Sequence, residues 1–210
     1  IDGHNIAELV KYFRFAKNCK HSIILHIKTN KGKGYPYSEY DDRGYWHGVK
    51  PFNIETGKPL SKPTNGVIPW GQGICNILIE AAKESFFYII TPAMIEGSRL
   101  QDFQNLYPKR LIDVGIAEEH AVVMAAAISR NQVIPIVSIY STFMQRAYDY
   151  INHDVCRSNN HVIFLVDRAG LNGSDGSTHQ GIFDIAFLSH LPNIVITMPK
   201  DVSGAYNLLM

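Results

Sequence analysis

The chain has 210 residues, 46% of them hydrophobic and 19% charged, the proportions of a folded globular protein rather than a disordered or fibrous one. A formal net charge of +1 gives no electrostatic case for nucleic acid or an anionic membrane surface, and no apolar run approaches the roughly 20 residues that span a bilayer. Cys19, Cys75 and Cys156 are odd in number, far apart and in no CxxC pair, which suggests neither a disulfide framework nor a zinc cluster and favours a reducing compartment.

The length suits one domain, or one domain and a piece of another. No signal-peptide pattern opens the chain. It begins Ile1-Asp2-Gly3-His4, without methionine, and stops within a helical pattern over 201–210. The expectation is an internal fragment of a longer protein.

Taken in order, residues 5–17 place Ile6, Leu9, Val10, Phe13 and Ala16 on one helical face. Residues 23–27 form a nearly continuous apolar run, expected as a buried parallel strand. It leads into Lys31-Gly32-Lys33-Gly34-Tyr35, where glycines allow close backbone approach and lysines could neutralise a phosphate. That motif lacks the spacing of a Walker loop, and a solvated basic turn is the simpler reading of it alone. Residues 38–65 show little periodicity, and a loop of that length is a functional segment or a linker. Within it Tyr45-Trp46-His47-Gly48 sets two large aromatics beside an imidazole, so this part should dock on a surface. The domain boundary is placed near residue 64.

Beyond it the patterns alternate. A helix is expected over 71–84, a strand over 86–91, a short helix over 98–106 and a strand over 110–114. The central helix follows over 117–130, then a strand over 133–140 and a helix over 142–156. A strand over 161–166, a loop over 167–181, a helix over 184–189, a strand over 194–197 and a last helix from 201 complete the chain. Such alternation implies right-handed crossovers: an α/β fold, a parallel sheet with helices on both faces. In such sheets the ligand site lies beyond the carboxyl ends of the strands. Three successive ends carry chemistry: Glu118 after one, Tyr140-Ser141-Thr142-Phe143 after the next, and Asp167-Arg168-Ala169-Gly170 after the third. The last continues into a glycine-rich polar loop ending Thr178-His179-Gln180-Gly181. A carboxylate at a helix start is stabilised by the unpaired N–H groups there, so Glu118 is expected to be ionised.

Several stretches match a known family: Ile1-Asp2-Gly3-His4, Lys31-Gly-Lys-Gly-Tyr35, Pro92-Ala-Met-Ile-Glu-Gly-Ser98, Asp113-Val-Gly-Ile-Ala-Glu-Glu-His-Ala-Val122, Ile139-Tyr-Ser-Thr-Phe-Met-Gln-Arg-Ala-Tyr-Asp149, Asp167-Arg-Ala-Gly-Leu171 and Thr178-His-Gln-Gly181. Across essentially its whole length the chain resembles the 1-deoxy-D-xylulose-5-phosphate synthases, thiamine-diphosphate enzymes related to transketolase. The resemblance implies that residues 1–63 are the end of a pyrophosphate-binding domain plus a linker. Residues 64–210 would then be a transketolase-like pyrimidine-binding domain, truncated at its C-terminal end. It implies condensation of pyruvate with glyceraldehyde 3-phosphate, with loss of carbon dioxide, by a homodimer. The product feeds isoprenoid, thiamine and pyridoxal synthesis, in bacterial cytoplasm or plastid stroma.

The same resemblance implies the roles of single residues. Glu118 would bond the aminopyrimidine of thiamine diphosphate and favour its imino form, Phe143 would stack on that ring with Arg146 one turn on, and Tyr35 would contact the cofactor. Tyr140 and Arg168 would bind the phosphate of the aldehyde, Asp175 and His179 would reach the substrate, and His47 would move a proton. The Gly-Asp-Gly motif that holds Mg2+ and diphosphate is missing, so its ligands are expected outside this chain, no metal ligand is assigned within it, and the isolated chain should be inactive. Ser174-Asp175-Gly176 is no substitute, lying in the wrong domain. Glu119 stands where the family usually has glutamine; facing the site it would raise the pKa of Glu118, and facing solvent it would matter little. His21, His26, His153, His161 and His190 read as structural. A reading of another class is a catalytically silent assembly module, and a further one is another thiamine-dependent ketol transferase. Retention of polar residues at every strand end argues against the first, and the loop 167–181 against the second.

Overall fold

The computed structural model describes residues 1–41, 44–60, 66–173 and 176–210. The chain divides into two compact units, Ile1–Asn65 and Gly66–Met210. The boundary expected at 63/64 falls in residues 61–65, outside the described ones.

The first unit opens with α1 (Ile6–Asn18), capped by Asn5, whose side chain accepts from the Glu8 N–H and so satisfies one of the open donors of the first turn. None of its residues is buried. The strand expected over 23–27 does not form. The segment's pairing is confined to the neighbourhood of a parallel bridge between Asp2 and Lys28. An apolar run becomes a buried strand only beside a partner edge, and Ile24 is instead 96% exposed. A short helix α2 (Pro36–Glu39), with proline at its first position, follows the basic turn. Tyr35, Tyr37, Trp46 and Phe52 then pack ring against ring, with centroids 4.7–5.9 Å apart. That is the docking expected of these aromatics, made within their own unit.

The second unit is built on a four-stranded parallel sheet in the order β2-β1-β3-β4, with β1 at Phe87–Thr91, β2 at Leu111–Asp113, β3 at Ile134–Tyr140 and β4 at Ile163–Asp167. The registers Ile89↔Ile136 and Ile90↔Val137 show how the strand period fills both faces. Ile89 and Ile136 join the core formed with Cys75, Leu78, Leu100 and Phe103. Ile90 and Val137 join that formed with Val122, Ala125, Met144 and Ile151. Helices α3 (Trp70–Glu84) and α4 (Gln101–Leu106) thus supply one face and α5 (Glu118–Ser129) the other, giving the expected sheet covered on both sides. Each fully buried Leu or Ile contributes about 2 kcal/mol of transfer free energy. The alanines of α5 contribute less, but Ala121, Ala125 and Ala126 let its backbone lie close to the strands.

Two expectations fail here. Residues 142–156 are helical throughout but not one helix: α6 (Ser141–Met144) tightens into a 3₁₀ turn (Gln145–Ala147), α7 (Tyr148–Tyr150) follows, and a π-helix (Ile151–Cys156) ends the run. Hydrophobic period does not register such changes of winding, because each keeps its apolar residues inward: Met144, Ala147, Ile151, Val155 and Cys156 are all buried. Residues 194–197 form no strand either. Asn193, at φ 57°, donates its amide to the Cys156 carbonyl (3.0 Å), and the extended segment beyond it leaves a cleft of about 1140 Å³ shared with residues 163–166. Val195 is therefore exposed. The short helix α8 (Asp184–Leu188) and the closing α9 (Val202–Leu209), capped by Asp201, lie where the sequence predicts helices. No helix among the described residues is long and apolar enough to cross a membrane.

Candidate functional site

The carboxyl ends of β2, β3 and β4 carry the groups that the sequence singled out. As the last residue of β2, Asp113 accepts hydrogen bonds from the Ala93 and Gly115 N–H groups (2.8 and 2.9 Å) and so joins the turns after β1 and β2. Helix α5 then begins at Glu118 itself. The Glu118 residue is only 2% exposed, and its Oε1 accepts from Arg146 Nη1 at 2.7 Å. Its Oε2 takes no hydrogen bond among the described residues. A buried carboxylate thus has a cation on one oxygen, a helix start behind it and one acceptor oxygen unused.

The Arg146 side chain is half-exposed, and its guanidinium lies over the Phe143 ring, 5.1 Å from the centroid. The 3₁₀ turn explains this, because positions three apart eclipse one another there. Phe143 stacks in parallel on Tyr140 (5.8 Å, 9°) and takes the His179 ring edge-on (5.1 Å). Arg168 stands over the Tyr140 ring (4.8 Å) and donates to its hydroxyl at 3.3 Å. Glu118, Arg146, Phe143, Tyr140, Arg168 and His179 therefore form one connected cluster. Glu119, next along α5, is half-buried and has no hydrogen bond or ion pair among the described residues; Arg146 engages Glu118 alone.

The loop after β4 is folded back on itself. Gly170 and Gly181 pair as a two-residue antiparallel bridge (2.7 and 2.8 Å), and Thr142 Oγ1 donates to the Thr178 carbonyl at 3.1 Å. Gly181 is obligatory, since any Cβ there would run into the Arg168 carbonyl oxygen. Gly97, in the turn after β1, is constrained by a side chain instead: a Cβ would strike the Tyr140 hydroxyl, which would have to move aside. Asp175 lies outside the described residues.

Tyr35 and His47 belong to the first unit and are described there. The Tyr35 hydroxyl donates to the Ile54 carbonyl (2.9 Å), and burial, with Tyr37 nearby, raises its pKa, which keeps it a donor. His47 is exposed, and its Nδ1 accepts from Lys31 Nζ at 3.1 Å. Among the described residues no group of three or more His, Cys, Asp or Glu side chains could hold a metal ion.

Sequence reasoning gave no role to Gly97, Asp113, Thr142, Asn172 or Gln180. Gly97 and Asp113 stood inside the quoted motifs, where a glycine or aspartate just past a strand signals a tight turn. Nothing in the polar loop distinguished its two amides from ordinary turn residues.

Residues 68–210 match the family described as the transketolase pyrimidine-binding domain. The chain belongs to that family. This transketolase-like chain is also 50% identical, over all 210 residues, to a 1-deoxy-D-xylulose-5-phosphate synthase of Listeria innocua, of which the match covers 33%. It is 49% identical to the synthase of Listeria monocytogenes (100% of this chain, 34% of the relative) and 49% identical to that of a Geobacillus species (96% and 32%). The resemblance read from the motifs is borne out, and the chain spans about a third of the length of these relatives. Among solved structures a split-gene transketolase, described as an inactive β4 tetramer, superposes with a TM-score of 0.58 at 26% identity, covering 66% of this chain and 45% of that one.

Proposed function

We propose that the cluster around Glu118 is the aminopyrimidine end of a thiamine diphosphate site. The enzyme it serves condenses pyruvate with D-glyceraldehyde 3-phosphate, releasing carbon dioxide, to give 1-deoxy-D-xylulose 5-phosphate. The observation that carries this reading is the buried Glu118 carboxylate, oriented by Arg146 and retaining one unpartnered oxygen. That donor set fits the cofactor's pyrimidine, whose ring nitrogen needs an acceptor fixed in direction and shielded from water. The names of the relatives support the product.

When bound, thiamine diphosphate supplies the electron sink for breaking a bond beside a carbonyl, which no side chain provides. The chain's own residues bind, orient and move protons. Glu118 Oε2 would accept the hydrogen bond of the pyrimidine N1′, while Arg146 on Oε1 keeps the carboxylate from turning. Phe143 would offer its ring to the pyrimidine. Arg168 and Tyr140, already paired, would take the phosphate of the aldehyde, a dianion suited to a guanidinium beside a hydroxyl. His179, edge-on to Phe143, and Asp175 would reach the substrate. His47 would serve in proton transfer, with Lys31 on Nδ1 leaving Nε2 as its outward nitrogen, and Tyr35 would contact the cofactor. We assign residues 1–63 to the end of a pyrophosphate-binding domain plus linker. Mg2+ would be held by residues of the longer protein, a homodimer of the bacterial cytoplasm; the relatives named above are bacterial.

The test is Glu118→Ala and Glu118→Gln in the full-length protein, measuring carbon dioxide release from pyruvate with glyceraldehyde 3-phosphate. Removing a positioned proton-handling group should lower kcat by about 10²–10⁴. Turnover equal to wild type in Glu118→Ala refutes the assignment.

A further inference from the structure

The loop after β4 holds two groups of the cluster at its opposite ends: Arg168 where it leaves the strand, and His179 where it returns. Neither has a regular element to fix it. Arg168 sits at φ 59°, a left-handed conformation that an arginine adopts only when its surroundings impose it. His179 precedes the short stretch before α8. Neighbours outside the loop reach its ends, Asp167 Oδ1 accepting from the Arg168 N–H (2.8 Å) and Thr142 Oγ1 donating to the Thr178 carbonyl (3.1 Å), and groups within the loop must tie the two ends together.

Two half-buried amides do so. Gln180 Oε1 accepts from the Asn172 N–H, and Gln180 Nε2 donates to the Asn172 carbonyl, both at 2.8 Å. The same Nε2 donates to the Gly176 carbonyl at 2.7 Å. One side chain therefore closes on the main chain of Asn172 as a strand neighbour would, just inside the Gly170–Gly181 bridge. Asn172 passes the constraint on, since its own Nδ2 donates to the Arg168 carbonyl at 2.7 Å.

We infer that Gln180 and Asn172 are paired positioning residues, a side-chain staple that fixes His179 against Phe143 and Arg168 over Tyr140 as one unit. In its bearing on turnover this rests on the function proposed above; in its bearing on the loop it does not. The chemistry makes a directional demand. Gln180 works as donor and acceptor at once, so glutamate, of the same size, keeps the bond from the Asn172 N–H but turns a carboxylate oxygen toward two carbonyls. Gln180→Glu should therefore be at least as damaging as Gln180→Leu, whereas a surface glutamine would tolerate it. Asn172→Leu removes the bond to the Arg168 carbonyl and a longer one to the Gly170 carbonyl (3.5 Å) but spares the Gln180 bonds, which are made to the main chain at 172.

The experiment is hydrogen exchange of the amides of Gly170, Asn172 and Gly181 in the full-length protein, together with KM for each substrate. With several hydrogen bonds lost, Gln180→Leu should exchange at all three amides roughly tenfold faster or more, and Gln180→Glu at Gly170 and Gly181. The KM for glyceraldehyde 3-phosphate should rise several-fold, with that for pyruvate within about twofold. Asn172→Leu should raise the aldehyde KM while exchange at Gly170 and Gly181 stays within about twofold. Unchanged exchange in both Gln180 variants overturns the staple, as does full protection in Gln180→Glu. Accelerated exchange without any change in aldehyde KM, in a protein where Arg168→Ala is also silent, keeps the staple and defeats the assignment of Arg168 to the phosphate.

Discussion

The two compact units hold the residues given roles in the proposed function in different ways. Every buried core residue among those described, from Cys75 to Ala205, lies in the second unit, and the first has none. In the second, a side chain's direction follows from a packed sheet: Glu118 points where α5 puts it, and Tyr140 where β3 ends. In the first, Lys31, Tyr35 and His47 are held by exposed polar bonds and by ring contacts. The difference teaches that the same kind of chemistry can rest on two supports with different sensitivities, one to packing and one to charge and solvent.

The most forceful way to break the second unit's support is at Arg110. Its guanidinium donates to the carbonyls of Ala82, Ser85 and Phe87 (2.9, 2.6 and 3.2 Å) and lies against Phe86, Phe87 and Tyr107, so one side chain finishes α3 and ties it to β1. Arg110→Ala should cost about 3 kcal/mol in denaturant unfolding, and Arg110→Lys nearly as much, because a single nitrogen, for all its three donors, cannot reach carbonyls that Nε, Nη1 and Nη2 meet from separate positions. A loss within about 0.5 kcal/mol would show that packing alone carries this corner.

A narrower cut is Gly97→Ala. The added methyl must push the Tyr140 hydroxyl aside and with it the Arg168 contact, at a cost of about 1–3 kcal/mol for overpacking. Its expected signature is a raised KM for the aldehyde without loss of the fold, read by steady-state kinetics and circular dichroism. An unchanged KM would separate Tyr140 from substrate binding.

The first unit should respond to acid instead. The Gly34 N–H holds the Glu39 carboxyl below its ordinary pKa, with Lys33 and Asn30 helping and partial desolvation opposing. A depressed folded pKa means that this support is complete above the unfolded value and is lost as pH falls through the folded one. The Lys31–Tyr35 turn should therefore loosen below the usual carboxylate range, seen as faster exchange at Gly34, and Glu39→Gln should remove that pH dependence. Persistence of the acid step in Glu39→Gln would locate it elsewhere.

The smallest effect is one of thiol access. Burial pushes the Cys75 and Cys156 thiols up, and both are buried in the second unit, whereas Cys19, just past the end of α1, is partly exposed. Iodoacetamide at pH 8 should label Cys19 first; equal rates would mean that the second unit opens as readily as the first.

Much of this was legible in the residues. Alternating apolar runs foretold the parallel sheet, because a strand buried on both faces has few other compositions, and the ends of β2, β3 and β4 delivered Glu118, Tyr140 and Arg168 to one cluster. What stayed hidden depends on partners that sequence does not display. Residues 23–27 and 194–197 have the composition of strands, yet a strand exists only against an edge. The 3₁₀ and π turns around Arg146 leave the apolar pattern intact. Gln180 and Arg110 act through main-chain carbonyls, and carbonyls carry no sequence signature.

The left-handed backbone at residue 168 has a practical consequence. Glycine would settle there without protest, and releasing such a conformation is commonly worth about 1–3 kcal/mol. On the proposed assignment of Arg168 to the aldehyde's phosphate, a screen that rewards heat tolerance alone would promote Arg168→Gly and hand back a sturdier protein that no longer grips its anionic reactant. At this position durability and usefulness are selected in opposite directions, and only an assay of both would notice.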